Sequence, residues 1–226
     1  MLFRSLRLDE GQLRLTGTDL EIELVAGVPL AAKVEGAITV PARKLYDICR
    51  ALPAEAQLDI RVEGTKARIQ SGRSRFTLAT LPAAEFPSVE GGEWQQQVEV
   101  GQQELKRLLD QTHFCMAHQD VRYYLNGLLI ELDGKRLRAV ATDGHRMAIS
   151  ELGLDSEPGS RQAIVPRKGI LEITRFLGNS DNPVTISLSA NHMRVSTDNM
   201  TLTSKLIDGR FPDYQQVLPA NYRRTV

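Results

Sequence analysis

Apolar and polar residues largely alternate along this chain. LRLTGTDLEIELV (13–25), LDIRV (58–62), ARIQS (67–71) and RFTLAT (75–80) show the pattern most clearly. Side chains of a strand point to opposite faces in turn, so period two predicts half-buried β-strands. Gly, Asp and Glu-Gly positions bound the runs and predict turns. GLLIELDGKRLRAVATD (127–143) reads as a hairpin turning at Asp133-Gly134. A second spacing marks three helices. PARKLYDICRAL (41–52) carries Leu45, Ile48, Cys49 and Leu52 on one stripe, with Pro41 at its first turn. GQQELKRLLDQT (101–112) repeats the spacing with Leu105, Leu108, Leu109 and Thr112. PRKGILEITRFL (166–177) does so with Ile170, Ile173, Thr174 and Leu177. Each helix is apolar on one side and is expected to lie on a sheet. The fold class is therefore α+β and layered.

The pattern occurs twice. Thr18-Asp19 recurs as Thr142-Asp143, and ITVPARKLYDICRALP (38–53) as AIVPRKGILEITRFLG (163–178). LDIRVEGTKARIQSG (58–72) matches VTISLSANHMRVSTD (184–198), and RFTLATL (75–81) matches TLTSKL (201–206). Phe86-Pro87 returns as Phe211-Pro212. Five pairs fall in the same order at offsets of 124 to 126. Two similar domains are expected, at 1–92 and 93–219, with 220–226 as a tail leading onward. The second copy opens with a strand (97–100) and a helix (102–113) that have no counterpart before the first match. The first copy is thus expected to lack its opening strand and helix.

Composition narrows the function classes. Lys plus Arg equals Asp plus Glu at 28 each, so any nucleic-acid contact must use a local basic face. Such faces exist. Arg43 and Arg50 share one side of the first helix, and Lys168 and Arg175 share the same side of its repeat. Lys106 and Arg107 lie outside the apolar stripe of the remaining helix. Cys49 and Cys115 stand alone, with no disulfide framework, and both are expected to be buried. No apolar run reaches membrane-span length, and no signal-peptide core opens the chain, so a cytoplasmic protein with no membrane partner is expected. No phosphate-binding Gly-rich loop and no metal-ligand spacing occur, so no metal and no cofactor are expected. Asp143 and His145 lie two apart in a strand-like segment. They lack a neighbouring nucleophile, so a hydrolase is the weakest reading.

HQDVRYYLNG (118–127), VATDGHRMA (140–148), IVPRKG (164–169) and TSKLIDGRFPDY (203–214) closely resemble the middle domain of the bacterial DNA polymerase III beta subunit, the sliding clamp. LTGTDLEIELV, ITVPARKLYDICRALP and SGRSRFTLATLPAAEFP resemble its first domain. The resemblance spans about residues 8–219 and implies the DNA-clamp fold. In that family three similar domains per chain close head to tail, two chains to a ring. By the resemblance this sequence lacks roughly the first 30 residues and the third domain.

The resemblance implies a non-catalytic processivity factor on double-stranded DNA, independent of sequence. Its partners would be the DNA polymerase III catalytic subunit, the clamp loader and other clamp-binding-motif proteins. DNA-facing residues would be Arg43, Arg50, Lys106, Arg107, Lys168 and Arg175, with Gln119, Arg122, Tyr123 and Tyr124 in a loop that touches template. A peptide cleft would use Leu125, Thr142, Gly144, His145, Arg146, Met147, Pro212 and Val217, with Gln216 at its rim. Arg73, Arg75, Phe76 and Leu78 match the edge that joins subunits. The alternative is a peptide-binding module that cannot close a ring.

Overall fold

The computed structural model describes residues 3–30, 35–89 and 92–218. Two compact units emerge: Met1–Glu90 with Arg194–Thr203, and Gly91–Met193 with Ser204–Val226. The division near residue 90 lies close to the boundary read from the repeat. Arg194–Thr203 differs, because it counts with the first unit. Repetition tracks matching segments, whereas packing decides which segments cohere. The tail 220–226 lies outside the described residues.

In the first unit, β1 (Phe3–Asp9), β2 (Gln12–Thr18), β3 (Ile22–Pro29) and β4 (Gly36–Pro41) precede helix α1 (Ala42–Ala51). β5 (Asp59–Glu63), β6 (Lys66–Ser71), β7 (Ser74–Ala79) and the short β8 (Leu81–Pro82) follow. One antiparallel sheet runs β8-β4-β1-β2-β3, and a second runs β5-β6-β7. Leu6, Val40, Leu45, Ile48, Ala67, Ile69 and Leu78 form the core, with Leu15, Ile38, Leu52 and Phe76 against it. α1 starts directly after Pro41 (φ −59°), whose fixed φ suits a helix start and whose missing N–H is no loss there. Its buried residues are Ala42, Leu45 and Ile48. Cys49 is exposed, against the sequence expectation. It sits one residue, about 100° of helix rotation, beyond Ile48, which carries it off the packed stripe.

The second unit opens with β9 (Gln96–Gly101) and α2 (Gln102–Asp110). β10 (Gly127–Asp133), β11 (Arg136–Thr142), β12 (Met147–Gly153) and β13 (Arg161–Pro166) lead into α3 (Arg167–Phe176). β14 (Pro183–Leu188) follows in this unit, and β15 (His192–Ser196) and β16 (Met200–Lys205), most of whose residues count with the first unit, complete the chain of elements. β12-β11-β10-β13 form an antiparallel sheet, and β9 pairs antiparallel with β14. β10 is buried from Gly127 to Leu132, on both faces, which explains its continuous rather than alternating GLLIEL. The turn at its end uses Gly134 at φ +57°, in the left-handed region where glycine is cheapest. Leu105, Leu108 and Leu109 of α2 are fully buried, as are Ile170 and Ile173 of α3. α2 is shorter than the predicted 102–113. It ends at Asp110, and His113–Cys115 form a separate 3-10 turn. Cys115 is buried as expected, and burial pushes its thiol pKa up.

Candidate functional site

The turn between β11 and β12 is built from its own side chains. Asp143 Oδ1 accepts the backbone N–H of His145 (2.9 Å) and Arg146 (3.0 Å). Thr142 Oγ1 donates to the Arg146 carbonyl (2.8 Å) and accepts the Gly144 N–H (3.1 Å). Asp and Thr side chains satisfy a tight turn this way when the backbone has no ladder partner. Asp143 Oδ2 holds Arg146 Nε at 3.0 Å. The N–H bonds from His145 and Arg146, then the Arg146 guanidinium, lower the Asp143 pKa to about 2. The carboxylate's bonds come from two backbone N–H groups and the Arg146 guanidinium, so it serves the turn and not the His145 ring. The pair sits in a turn, not in a strand.

A second aspartate braces the turn from outside. Asp120 binds Arg122 through both oxygens, at 3.0 and 2.7 Å, and also accepts the Arg122 N–H at 2.8 Å. The Arg122 side-chain bonds, then its backbone N–H, lower the Asp120 pKa to about 2. Arg122 also donates to the Asp143 carbonyl at 3.2 Å. Gly144 adopts φ +90°, and a Cβ there would come within 3.0 Å of the Arg122 guanidinium. Both the backbone and the neighbour therefore favour glycine. Arg146 donates to the Phe114 carbonyl at 2.8 Å, and its guanidinium lies 5.9 Å from the Phe114 ring centroid.

Beneath the turn, Leu125 and Met147 pack with Ala117, Leu129, Val140, Ile164, Phe211 and Tyr214. Tyr214 anchors the segment that carries Pro212, Gln216 and Val217. Its hydroxyl donates to Glu131 Oε2 at 2.7 Å and accepts from Arg138 at 2.9 Å. Gln162 donates to the other Glu131 oxygen at 2.7 Å, and Arg138 also reaches Glu151 at 2.9 Å. Burial pushes the Glu131 pKa up, but the bonds from Tyr214, Gln162 and Arg138 outweigh it, so the net direction is down. With its base so held, the segment presents Pro212, Gln216 and Val217 to solvent, Val217 at 69% exposure. Gln216 Nε2 is turned onto Asp213 at 2.8 Å.

The helices place their cations unevenly. Arg43, Arg50, Arg107, Lys168 and Arg175 are exposed. Arg43 pairs with Asp47 at 3.1 Å, and Arg175 with Glu172 at 2.6 Å. Such exposed pairs are weak enough to open toward another anion. Lys106 is only half-exposed. Its ammonium donates to the Thr174 carbonyl at 3.1 Å, tying α2 to α3.

The chain is similar along its length to known proteins. A family model described as the DNA polymerase III beta subunit, central domain, matches residues 99–213. A model for the N-terminal domain of the same subunit matches residues 5–90. The chain belongs to the DNA polymerase III beta subunit family. The beta sliding clamp of Vibrio cholerae is 50% identical over 224 residues, covering 98% of this chain and 61% of that protein. The Escherichia coli beta sliding clamp is 51% identical over 219 residues, covering 96% and 59%. A Pseudomonas aeruginosa sliding clamp solved with ligand superposes with TM-score 0.94 at 53% identity, covering 96% of this chain and 60% of that one. A Caulobacter crescentus clamp gives 0.91 at 37%, covering 97% and 61%. The chain thus spans about 60% of the length of these relatives.

The structure also places the remaining residues expected of this beta subunit family member. Tyr123 and Tyr124 lie in a 3-10 turn (Tyr123–Leu125). Tyr123 is exposed, and Tyr124 packs partly on the core with its ring edge-on to Tyr123 at 5.7 Å. Gln119 is exposed at φ +58°. Arg122 is exposed too, but it is occupied as a strut. Leu78 lies on the inner face of β7. It faces the first unit's own core at 5% exposure, beside a half-buried Phe76. Arg73 and Arg75 remain exposed. Asp120, Glu131, Arg138, Phe114 and Tyr214 were missed as site residues. Only Asp-x-Arg at 120–122 carried a local signal; the others meet through tertiary packing.

Proposed function

We propose that this chain acts in the cytoplasm as part of a sliding clamp. It would surround duplex DNA without reading its sequence and hold replication proteins on it, with no catalytic step of its own. The observation that supports this best is the doubled basic helix. α1 and α3 bury the same stripe and expose Arg43 with Arg50, and Lys168 with Arg175, at matching positions in a family whose named relatives are sliding clamps. A sliding surface needs mobile cations that meet phosphates and no base-reading groups. Gln119, Arg122, Tyr123 and Tyr124 would add a stacking loop, with Tyr123 the best placed of the four. Lys106 contributes less than Arg107, since its ammonium is held by Thr174.

The peptide site would be the turn Thr142–Met147 with Leu125, Pro212, Gln216 and Val217. A firm apolar floor, a polar turn and an exposed Val217 suit a short extended peptide with one or two apolar anchors. The DNA polymerase III catalytic subunit, the clamp loader and other clamp-binding-motif proteins are the partners it would take. Head-to-tail ring closure through Arg73, Arg75 and Phe76 belongs to the same reading, in domains 1–92 and 93–219.

Charge reversal tests the DNA surface. Arg43→Glu with Lys168→Glu is expected to weaken low-salt binding to a fluorescent duplex. The log–log salt dependence should flatten by about 2, at roughly 0.9 for each phosphate no longer neutralised. Equal affinity and slope in wild type and variant would refute the assignment. Retention on circular but not linear DNA separates a closed ring from a peptide-binding module alone. Val217→Asp is expected to lower affinity for a fluorescent clamp-binding peptide by about tenfold, while leaving duplex binding intact.

A further inference from the structure

One row of side chains is balanced in the second copy and unbalanced in the first. In the second unit Gln162, Glu131, Arg138 and Glu151 stand side by side across β13, β10, β11 and β12. Their polar groups close on one another. Arg138 meets Glu131 at 3.1 Å and Glu151 at 2.9 Å, and Gln162 donates to Glu131 at 2.7 Å. The matching row of the first unit is Ala37, Arg7, Arg14 and Gly27, across β4, β1, β2 and β3. The two rows are related by the 124–125-residue offset of the repeat. One arginine is kept. A second arginine stands where Glu131 stands, and small residues replace Gln162 and Glu151. Tyr214, whose hydroxyl caps the second row, is matched by Val89, which has no side-chain polar group to offer.

Arg7 and Arg14 are thus opposed directly across a strand pair, where like charges destabilise a sheet. Both are exposed, and among the described residues neither makes a hydrogen bond or an ion pair. A hollow of about 270 Å³ opens beside Arg14 over Gly27, lined also by Gln12, Val25 and Asn199. A Cβ at Gly27 would have the Asn199 carbonyl as its nearest neighbour, at 3.8 Å, so the place that Glu151 fills in the second unit is open here. Asp198 lines the hollow too, and Asp9 stands two residues along the same face of β1; neither pairs with Arg7 or Arg14.

This face is turned away from α1. Leu6 packs with Leu45 and Ile48 of that helix, and alternation along β1 points Arg7 the other way. The strand and helix that the first copy is expected to lack would leave the face as it is. Their counterparts are β9, which pairs with β14, and α2, whose end reaches Ser150 through Gln111 at 2.7 Å. Ser150 is opposite Ala139, on the other side of the sheet from Arg138 and Glu151.

We propose that Arg7 and Arg14 are a docking site for an acidic segment of a partner protein, whose carboxylates take the places that Glu131 and Glu151 fill beside Arg138. Guanidinium and carboxylate match as planar forks and form the stronger, charge-assisted class of hydrogen bond. Alternate residues of an extended segment, about 7 Å apart, present their carboxylates on one face. The cations proposed to meet DNA in this unit lie on α1, across the sheet, so this site rests on no part of the clamp reading.

Fluorescence anisotropy of a labelled peptide of alternating Glu and Ser, titrated with the 226-residue chain at low salt, tests it. Saturable binding is expected, weakened at least about tenfold by Arg7→Gln with Arg14→Gln. Arg136→Glu, an equal change of charge at an exposed place in the second unit, is expected to leave binding unchanged. Arg7→Glu restores the Glu131–Arg138 pairing inside the first unit. It is expected to abolish binding while far-ultraviolet circular dichroism shows the native fold. Absence of saturable binding overturns the proposal, as does equal weakening by Arg136→Glu. A labelled DNA duplex whose binding falls with Arg7→Gln and Arg14→Gln as far as the peptide's would give the pair to phosphates and also overturn it.

Discussion

The turns at Thr18–Ile22 and Thr142–Arg146 are the same device used for different ends. In the first, Thr18 Oγ1 donates to Ile22 O (2.8 Å) and accepts the Leu20 N–H (3.0 Å). Asp19 Oδ1 accepts Glu21 and Ile22 N–H at 3.1 and 3.0 Å. Every one of these bonds has its counterpart in the second turn, 124 residues on. Even the left-handed residue matches, Leu20 at φ +75° against Gly144 at φ +90°. What differs is the surroundings. The second turn has an arginine strut, Arg122, pressed against its left-handed residue. The same internal wiring thus sits in two different settings, and in the second Arg122 joins the turn to Asp120.

The largest effect that could break the comparison lies in the strands. Ile186→Ala is expected to cost about 2–4 kcal/mol in urea unfolding, because the side chain is fully enclosed. Ile60→Ala, the matching change in β5, is expected to cost under about 1 kcal/mol, because much of Ile60 is already in water. Equal costs would mean that β5 is covered in solution. Next come the turns. Gly144→Ala is expected to cost about 1 kcal/mol through its left-handed φ, with Arg122 shifting to make room. Leu20→Ala, at the same place in the other copy, keeps whatever strain the leucine already bears and is expected to be near neutral. The smallest effect is that of pH. Asp120 and Asp143 titrate at about 2 in the folded chain, below the ordinary carboxylate value of about 4. Their contribution is full above the unfolded value and is lost as pH falls from about 4 through 2. Asp120→Asn with Asp143→Asn is expected to flatten that acid limb of the stability curve.

How far the sequence could be read depended on how far each signal extends along the chain. Helix stripes and strand alternation are local, so α1, α2, α3 and strands such as β5, β6, β7, β10 and β11 could be placed within a few residues. The repeat is long-range but one-dimensional, so it matched the two Thr-Asp pairs without showing that each opens a turn. Cys49 went wrong because the width of a buried stripe depends on how much sheet lies beneath it. That Leu78 turns inward could not be read, because a strand edge can turn the same residue inward or outward. The Glu131–Arg138–Tyr214 network could not be read at all. Its members are 7 and 76 residues apart, and nothing local marks them as partners.

The two thiols offer a practical handle. Cys115 is enclosed, and burial holds it in the unreactive protonated form, while Cys49 stands in solvent on α1. A maleimide dye added to the unmodified protein would therefore settle at one place, on the helix that carries Arg43 and Arg50. Changes in its brightness or tumbling would report directly on what approaches that basic face. No engineered cysteine would be required.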